Sequence, residues 1–168
     1  ECDETRADFR IRTRYCDAKT HSLDEALAMI DGWTKAGEAK SVALIGNAAD
    51  VFPEVLARMQ AGGMRPDIVT DQTSTEPLMG YFPAGISMAE TEELRRIDPD
   101  QVKTRAFASM RLHLEATLTM QRRGAVVFEY GNNLRTRAEA GGAKAAFELK
   151  SFIELFIRPL FCQGIGPF

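Results

Sequence analysis

The fold is indicated by a short stretch that ends in a turn, Ser41-Val42-Ala43-Leu44-Ile45-Gly46-Asn47. Its apolar residues are continuous rather than alternating, as in a strand covered on both faces of a parallel sheet. Two similar stretches follow, at residues 67–70 (Asp-Ile-Val-Thr) and 125–130 (Ala-Val-Val-Phe-Glu-Tyr). Helical periodicity lies between them, so we predict an α/β fold, a Rossmann-like parallel sheet flanked by helices.

Several helix starts have recognisable caps. Ser22 with Glu25, and Ser87 with Glu90, form capping-box sequences. Pro99 suits the first turn of a long helix. The predicted helices span about residues 5–15, 23–36, 50–60, 87–97 and 99–123, with another after residue 133.

Three polar turns follow the predicted strands, at residues 46–48, 71–74 and 130–133. In parallel α/β folds, ligands bind at the carboxyl ends of the strands. Backbone N–H groups, amides and hydroxyls at these positions suit a polar, phosphorylated ligand. The alternative is that Asn and Gly simply form turns here. Because the chain contains no G-x-G-x-x-G sequence, we expect the first strand and its glycine-rich turn to precede Glu1.

Composition restricts the class of protein. The chain has 168 residues, 45% hydrophobic, and a net charge of −3, which is typical of a soluble globular protein and disfavours a nucleic-acid partner. No apolar run approaches the roughly 20 residues that cross a bilayer. The three cysteines lack C-x-x-C spacing, so we expect no metal site and a reducing, cytoplasmic environment.

The chain starts without Met and ends in an apolar stretch, which suggests a piece of a longer protein. We predict one domain over residues 1–168, with an α/β core over about 1–150. Residues 151–168 would connect to a further domain, with a break in the chain direction at Pro159.

Five different short motifs occur in a characteristic order along the chain. They are residues 22–27 (Ser-Leu-Asp-Glu-Ala-Leu), 44–49 (Leu-Ile-Gly-Asn-Ala-Ala), 67–74 (Asp-Ile-Val-Thr-Asp-Gln-Thr-Ser), 130–135 (Tyr-Gly-Asn-Asn-Leu-Arg) and 157–168 (Ile-Arg-Pro-Leu-Phe-Cys-Gln-Gly-Ile-Gly-Pro-Phe). Together they resemble the urocanase (urocanate hydratase) family. The resemblance implies a lyase of histidine degradation that adds water to urocanate and releases imidazolone propionate. It further implies tightly bound NAD⁺ acting as an electrophile, a cytoplasmic location and a homodimer.

The resemblance also implies which residues bind NAD⁺. Glu1 is expected to hold the adenosine ribose, and Arg6 to lie near the adenosine. The other expected contacts are Asn47, Ala48, Gln72, Thr73, Ser74, Tyr81, Phe82 and Tyr130. The essential cysteine of the family lies further toward the C-terminus, so we assign no catalytic residue here and expect this piece alone to be inactive. Cys162 is predicted to be a buried thiol, and His113 a packing or surface residue.

One loop departs from the family pattern. Residues 75–79 read Thr-Glu-Pro-Leu-Met, one residue shorter than the family loop and without its histidine. A paralogue that hydrates a modified urocanate, such as a sulfur-substituted one, is therefore an alternative. A folded scaffold without NAD⁺ affinity is another, and an ordinary NAD-linked dehydrogenase domain is disfavoured by the motifs.

Overall fold

The computed structural model describes residues 3–166 and divides into two compact units, Glu1–Val51 and Phe52–Phe168. Each unit contains one pair of parallel strands. Glu1, the expected ribose ligand, lies outside the described residues.

The first unit alternates helices and strands. Its elements are α1 (Glu4–Arg12), β1 (Ala18–Thr20), α2 (Leu23–Ala36), β2 (Val42–Leu44) and the start of α3 (Ala48–Gln60), which continues into the second unit. β1 was not predicted, because three residues with Lys19 at the centre give no apolar run. It pairs in parallel with β2, with Ala18 opposite Val42.

The caps of α2 follow the sequence signals with one change. The Ser22 hydroxyl accepts the Glu25 N–H at 3.3 Å, and Gly37 ends the helix in the left-handed region at φ 69°. The Glu25 carboxylate does not return to the Ser22 N–H; instead it accepts the Thr20 hydroxyl. The Thr20 oxygen accepts the Ser22 N–H at 3.0 Å, so the last residue of β1 completes the cap.

The second unit is built around one long helix. Its elements are β3 (Ile68–Asp71), α4 (Met88–Ile97), α5 (Pro99–Arg122), β4 (Val126–Glu129), α6 (Leu134–Ala140), a 3₁₀ turn (Ala146–Glu148), a π-helical turn (Ile153–Ile157) and α7 (Arg158–Cys162). The capping box of Ser87 and Glu90 is complete. Pro159 was expected to break the chain direction, but the chain remains helical from the π-helical turn into α7, of which Pro159 is the second residue.

The β3–β4 sheet is covered on one face. Val69 and Val127 are buried, whereas Ile68 and Val126 are 62% and 53% exposed. The expectation of strands buried on both faces is therefore wrong for this pair, because helices of the described chain, α5 foremost, cover only one side. The four strands also form two separate two-stranded sheets rather than one.

Candidate functional site

Two buried carboxylates lie side by side at the carboxyl ends of β3 and β4. Asp71 and Glu129 are partners in the parallel register and are 2% and 1% exposed. Residues at matched positions of neighbouring strands project to the same face of a sheet. Because a buried carboxylate without partners is strongly disfavoured, the local structure must supply hydrogen-bond donors or cations to both.

Asp71 has polar partners on three sides. The Thr73 hydroxyl donates to Oδ2 at 2.8 Å, the Asn132 amide donates to Oδ1, and His113 Nε2 lies 3.1 Å from Oδ2. Burial by itself raises the pKa of Asp71, but these contacts, led by His113, outweigh it and hold the pKa below its ordinary value. Asp71 is therefore ionised at neutral pH.

His113 reaches Asp71 from the middle of α5. Its side chain is fully buried, and the Phe52 ring packs on it with centroids 4.4 Å apart. Neither ring nitrogen makes a hydrogen bond of good geometry to a described residue, although Nε2 lies within ion-pair distance of the Asp71 carboxylate. His113 therefore packs in the interior, as predicted, and also lies against the Asp71 carboxylate. Its place on the buried stripe of α5, beside Met110 and Thr117, is a signal that the sequence already contained.

Glu129 has its own base. Arg135, on α6, places Nε 3.0 Å from Oε1, while the N–H groups of Gly131 and Asn132 donate to Oε2. The two acids thus each have a basic partner, and both hold the turn that follows β4. Sequence reasoning missed Glu129 and Arg135 because the acid occupies the last position of an otherwise apolar strand.

Asn132 joins the two strand ends through both halves of its amide. Nδ2 donates to the Asp71 carboxylate and, at 2.9 Å, to the Thr73 carbonyl, while Oδ1 accepts the Leu134 N–H at 3.2 Å. The flanking residues Gly131 and Asn133 have φ values of 82° and 65°, a region that Gly and Asn adopt most readily. The Gly-Asn-Asn sequence therefore specifies both the backbone of the turn and its link to β3.

Side chains alternate along the segment after β3. Asp71, Thr73 and Thr75 face inward, and the Thr75 hydroxyl donates to the Asn132 carbonyl. Gln72 and Ser74 are exposed. Gln72 and Ser74, both predicted cofactor residues, are therefore accessible in this segment, whereas the hydroxyl of Thr73 is directed to Asp71.

The rest of the loop is fixed by Arg95, which sequence reasoning did not single out. Its side chain is 9% exposed and donates to the carbonyls of Pro77 and Tyr81 at 3.1 and 2.8 Å. Its guanidinium also lies over the Phe82 ring, 4.8 Å from the centroid. Tyr81 is 1% exposed, so this predicted cofactor residue projects into the protein interior, while Phe82 is half-buried.

The altered part of the loop has a partner of its own. Glu76, in the 75–79 segment, pairs with Arg137 of α6 at 2.5 Å. The Glu76 carbonyl accepts the N–H groups of Gly80 and Tyr81 at 2.9 and 3.0 Å. A side chain at Gly80 would meet Ser74, whose Cβ lies 2.9 Å from the ideal Cβ position. The shortened loop is therefore a defined structure.

Tyr130 begins an aromatic cluster next to these turns. Its ring is 44% exposed and stacks on Phe152 at a centroid distance of 4.9 Å and an angle of 10°. Phe128 and Phe156 complete the cluster. A flat, partly exposed aromatic surface thus lies at the same sheet end as Gln72 and Ser74.

Among the residues that the structure describes, three predicted cofactor residues belong to the first unit. The Asn47 side chain caps α3 by accepting the Ala49 N–H at 2.9 Å, and Ala48 is the first residue of that helix. Arg6 projects from α1 into solvent and pairs with Asp3 at 3.5 Å. The structure brings together the expected residues that follow β3 and β4, and it places these three at the surface or half-buried within their own unit.

Other site types find no support in residues 3–166. No cluster of three or more His, Cys, Asp or Glu side chains able to hold a metal ion occurs in this part of the chain. Nor does this part contain a helix of the length and apolarity that a membrane span requires. Cys162 is exposed, so the expectation of a buried thiol is wrong, because α7 lies at the surface.

Parallel strands joined through helices, with polar turns at their carboxyl ends, define a Rossmann-like α/β domain. Residues 1–156 match the family model described as the urocanase Rossmann-like domain. The chain therefore belongs to the urocanase family.

Proposed function

We propose that this chain is the NAD⁺-binding domain of a urocanate hydratase-like lyase, which adds water to urocanate to give imidazolone propionate. The observation that carries the proposal is the joining of the 71–75 and 130–134 segments at one sheet end by the Asn132 amide. These are the segments for which the family resemblance implies cofactor contacts.

The residues present fit a dinucleotide. The Gln72 amide and the Ser74 hydroxyl offer neutral polar contacts, and the exposed Tyr130 ring offers a flat surface. Glu129 is paired with Arg135, so its charge does not strongly oppose an anionic diphosphate. When bound, NAD⁺ would supply an electrophilic ring for the imidazole of the substrate.

Some of the predicted residues would contact the cofactor, and others would shape the loop that holds it. Gln72, Ser74 and Tyr130 would contact it directly, whereas Thr73 and Tyr81 would act by shaping the loop, since their side chains are turned inward. Phe82 would lie at the edge of the site.

Glu1 and Arg6 would serve the adenosine end of NAD⁺, as the family resemblance implies. Arg6 would stack on or pair with it, and Asn47 with Ala48 would let the backbone approach closely. We further propose that the enzyme acts in the cytoplasm as a homodimer, as the family resemblance implies.

The test uses the protein in its full natural length. The purified protein is denatured and the released NAD⁺ is quantified, and the loss of urocanate absorbance is followed on the native protein. Stoichiometric NAD⁺ with turnover supports the proposal. Absence of NAD⁺, together with no binding on titration, contradicts it and favours a scaffold without cofactor.

The Glu76–Arg137 pair favours one alternative substrate class. An ion pair in place of a histidine changes the charge and hydrogen bonding of the loop, which suits an imidazole acrylate other than urocanate, such as a sulfur-substituted one. Bound NAD⁺ without urocanate turnover, followed by turnover of the substituted compound, would establish this alternative. Turnover of urocanate by residues 1–168 alone would contradict the expectation that the catalytic residues lie elsewhere.

A further inference from the structure

We infer that Asp71 and His113 form a buried positioning pair that fixes the two polar turns of the second unit in the geometry which cofactor binding requires. The inference rests on the proposed cofactor site for its consequence, but its structural part is independent of the ligand. Neither residue is expected to touch the cofactor, because their side chains are 2% and 0% exposed.

Asp71 is the point at which both turns meet. Its carboxylate accepts the Thr73 hydroxyl and N–H, at 2.8 and 3.2 Å, on one side and the Asn132 amide on the other. Thr73 lies between the exposed residues Gln72 and Ser74. A displacement of the Asp71 carboxylate therefore moves the side chains that face the candidate cofactor.

Formation of the turn alone does not require Asp71. Glu129 already accepts the N–H groups of Gly131 and Asn132, and Arg135 neutralises Glu129. What Asp71 adds is the connection between this turn and the segment after β3. The Asp71 carboxylate thus fixes the position of one turn relative to the other.

His113 fixes the position of the Asp71 carboxylate relative to α5. The imidazole projects from the buried face of a 24-residue helix, the longest element described in the second unit. Its Nδ1 has no hydrogen-bond partner among the described residues, and an unpaired polar atom in the interior is disfavoured. A leucine on this stripe would avoid that penalty, so packing against Phe52 does not by itself explain the imidazole.

The charged surroundings of the pair are simple. Glu129, on β4, is the register partner of Asp71, and its charge is met by Arg135 of α6. From α5, His113 is the basic group in contact with Asp71. Loss of His113 therefore leaves Asp71 with neutral donors only, beside a second buried acid.

The test compares three substitutions in the full-length protein. His113→Leu removes the polar contact at similar volume, and His113→Gln keeps an N–H donor. Leu118→Ala, at a buried position of the same helix, is a control for general loss of stability. The readouts are the NAD⁺ dissociation constant, amide hydrogen exchange in residues 71–76 and 130–134, and the melting temperature.

We expect His113→Leu to weaken NAD⁺ binding at least about tenfold and to speed exchange in both turns, by loss of about 1.4 kcal/mol or more of binding free energy. His113→Gln should restore affinity to within about threefold, and Leu118→Ala should lower the melting temperature without changing affinity beyond that range. Wild-type affinity and exchange in His113→Leu would overturn the inference. If the unmodified protein binds no NAD⁺, the proposed function fails, and hydrogen exchange alone tests the positioning pair. Faster exchange in both turns of His113→Leu, but not of Leu118→Ala, then supports the pair. Unchanged exchange in His113→Leu overturns it.

Discussion

Replacing Asn132 with aspartate changes a single amide into a carboxylate of the same shape, at the point where two strand ends are joined. The amide nitrogen donates to the Asp71 carboxylate and to the Thr73 carbonyl, and a carboxylate can donate to neither. A lost hydrogen bond to a charged group is worth roughly 1.5–3 kcal/mol and one to a carbonyl roughly 1 kcal/mol. Two carboxylates in contact add a repulsion of at most about 4 kcal/mol, which uptake of a proton limits.

We therefore expect Asn132→Asp to lower the free energy of unfolding by about 3–5 kcal/mol at pH 7. The new pair of acids binds a proton more tightly when folded than when unfolded, so its pKa is raised, and stability should be regained as the pH falls toward about 4.5. The shared proton then replaces the amide as donor. Chemical denaturation at both pH values measures this.

The matched control is Asn133→Asp. Asn133 is the next residue, exposed and in the left-handed region, and its side chain makes no cap hydrogen bond to α6. This substitution should change stability by less than about 0.5 kcal/mol at either pH. Equal effects of the two substitutions at both pH values would refute the account of Asn132 as the link between strands.

Three further outcomes are expected. Because the pKa of Asp71 is held below its ordinary value of 3.8, the ionised group stabilises the fold above that value and loses the effect as the pH falls through the lowered pKa. The stability difference between wild type and Asp71→Asn should therefore shrink below about pH 4. A difference that instead grows in acid would contradict this sign. Arg95→Met removes donors from two carbonyls of the 76–82 loop and should destabilise by about 2–3 kcal/mol and weaken NAD⁺ binding in calorimetry, while Arg96→Met, at a 71% exposed site of the same helix, should change neither measurably. Gly80→Ala places a methyl group 2.9 Å from the Ser74 Cβ and should destabilise by about 1–3 kcal/mol, with a lower NAD⁺ affinity; an unchanged melting curve would show that the loop adjusts freely.

Local signals in the sequence located most helices and three of the four strands. Ser22 and Ser87 act as N-caps, as their spacing to Glu25 and Glu90 indicated, and Pro99 lies in the first turn of α5. β1 escaped prediction because a three-residue strand with a central lysine has no hydrophobic pattern of its own. Its existence depends on hydrogen bonding to β2, which lies some twenty residues later in the chain.

The candidate site was predictable as a set of turns but not as a network. Residues 71–74 and 130–133 were expected at strand ends, and the structure joins them there. Nothing local to Glu129 indicated that it would be buried against the site. The helical stripe that contains His113 indicated burial but not which residues the imidazole would meet. Tyr81 shows the reverse case, since its motif implied a cofactor contact and its side chain is directed inward.

The sequence by itself determined the α/β class and the approximate positions of most helices, because capping, glycine turns and hydrophobic period act over only a few residues. The order of the short motifs indicated the family, which the family model confirms. Tertiary structure alone decided which polar side chains meet. The contact of Asp71 with His113 spans 42 positions of the chain, and that with Asn132 spans 61. Whether such side chains are buried together depends on the register of β3 against β4 and on the packing of α5, and these are properties of the whole fold rather than of any segment.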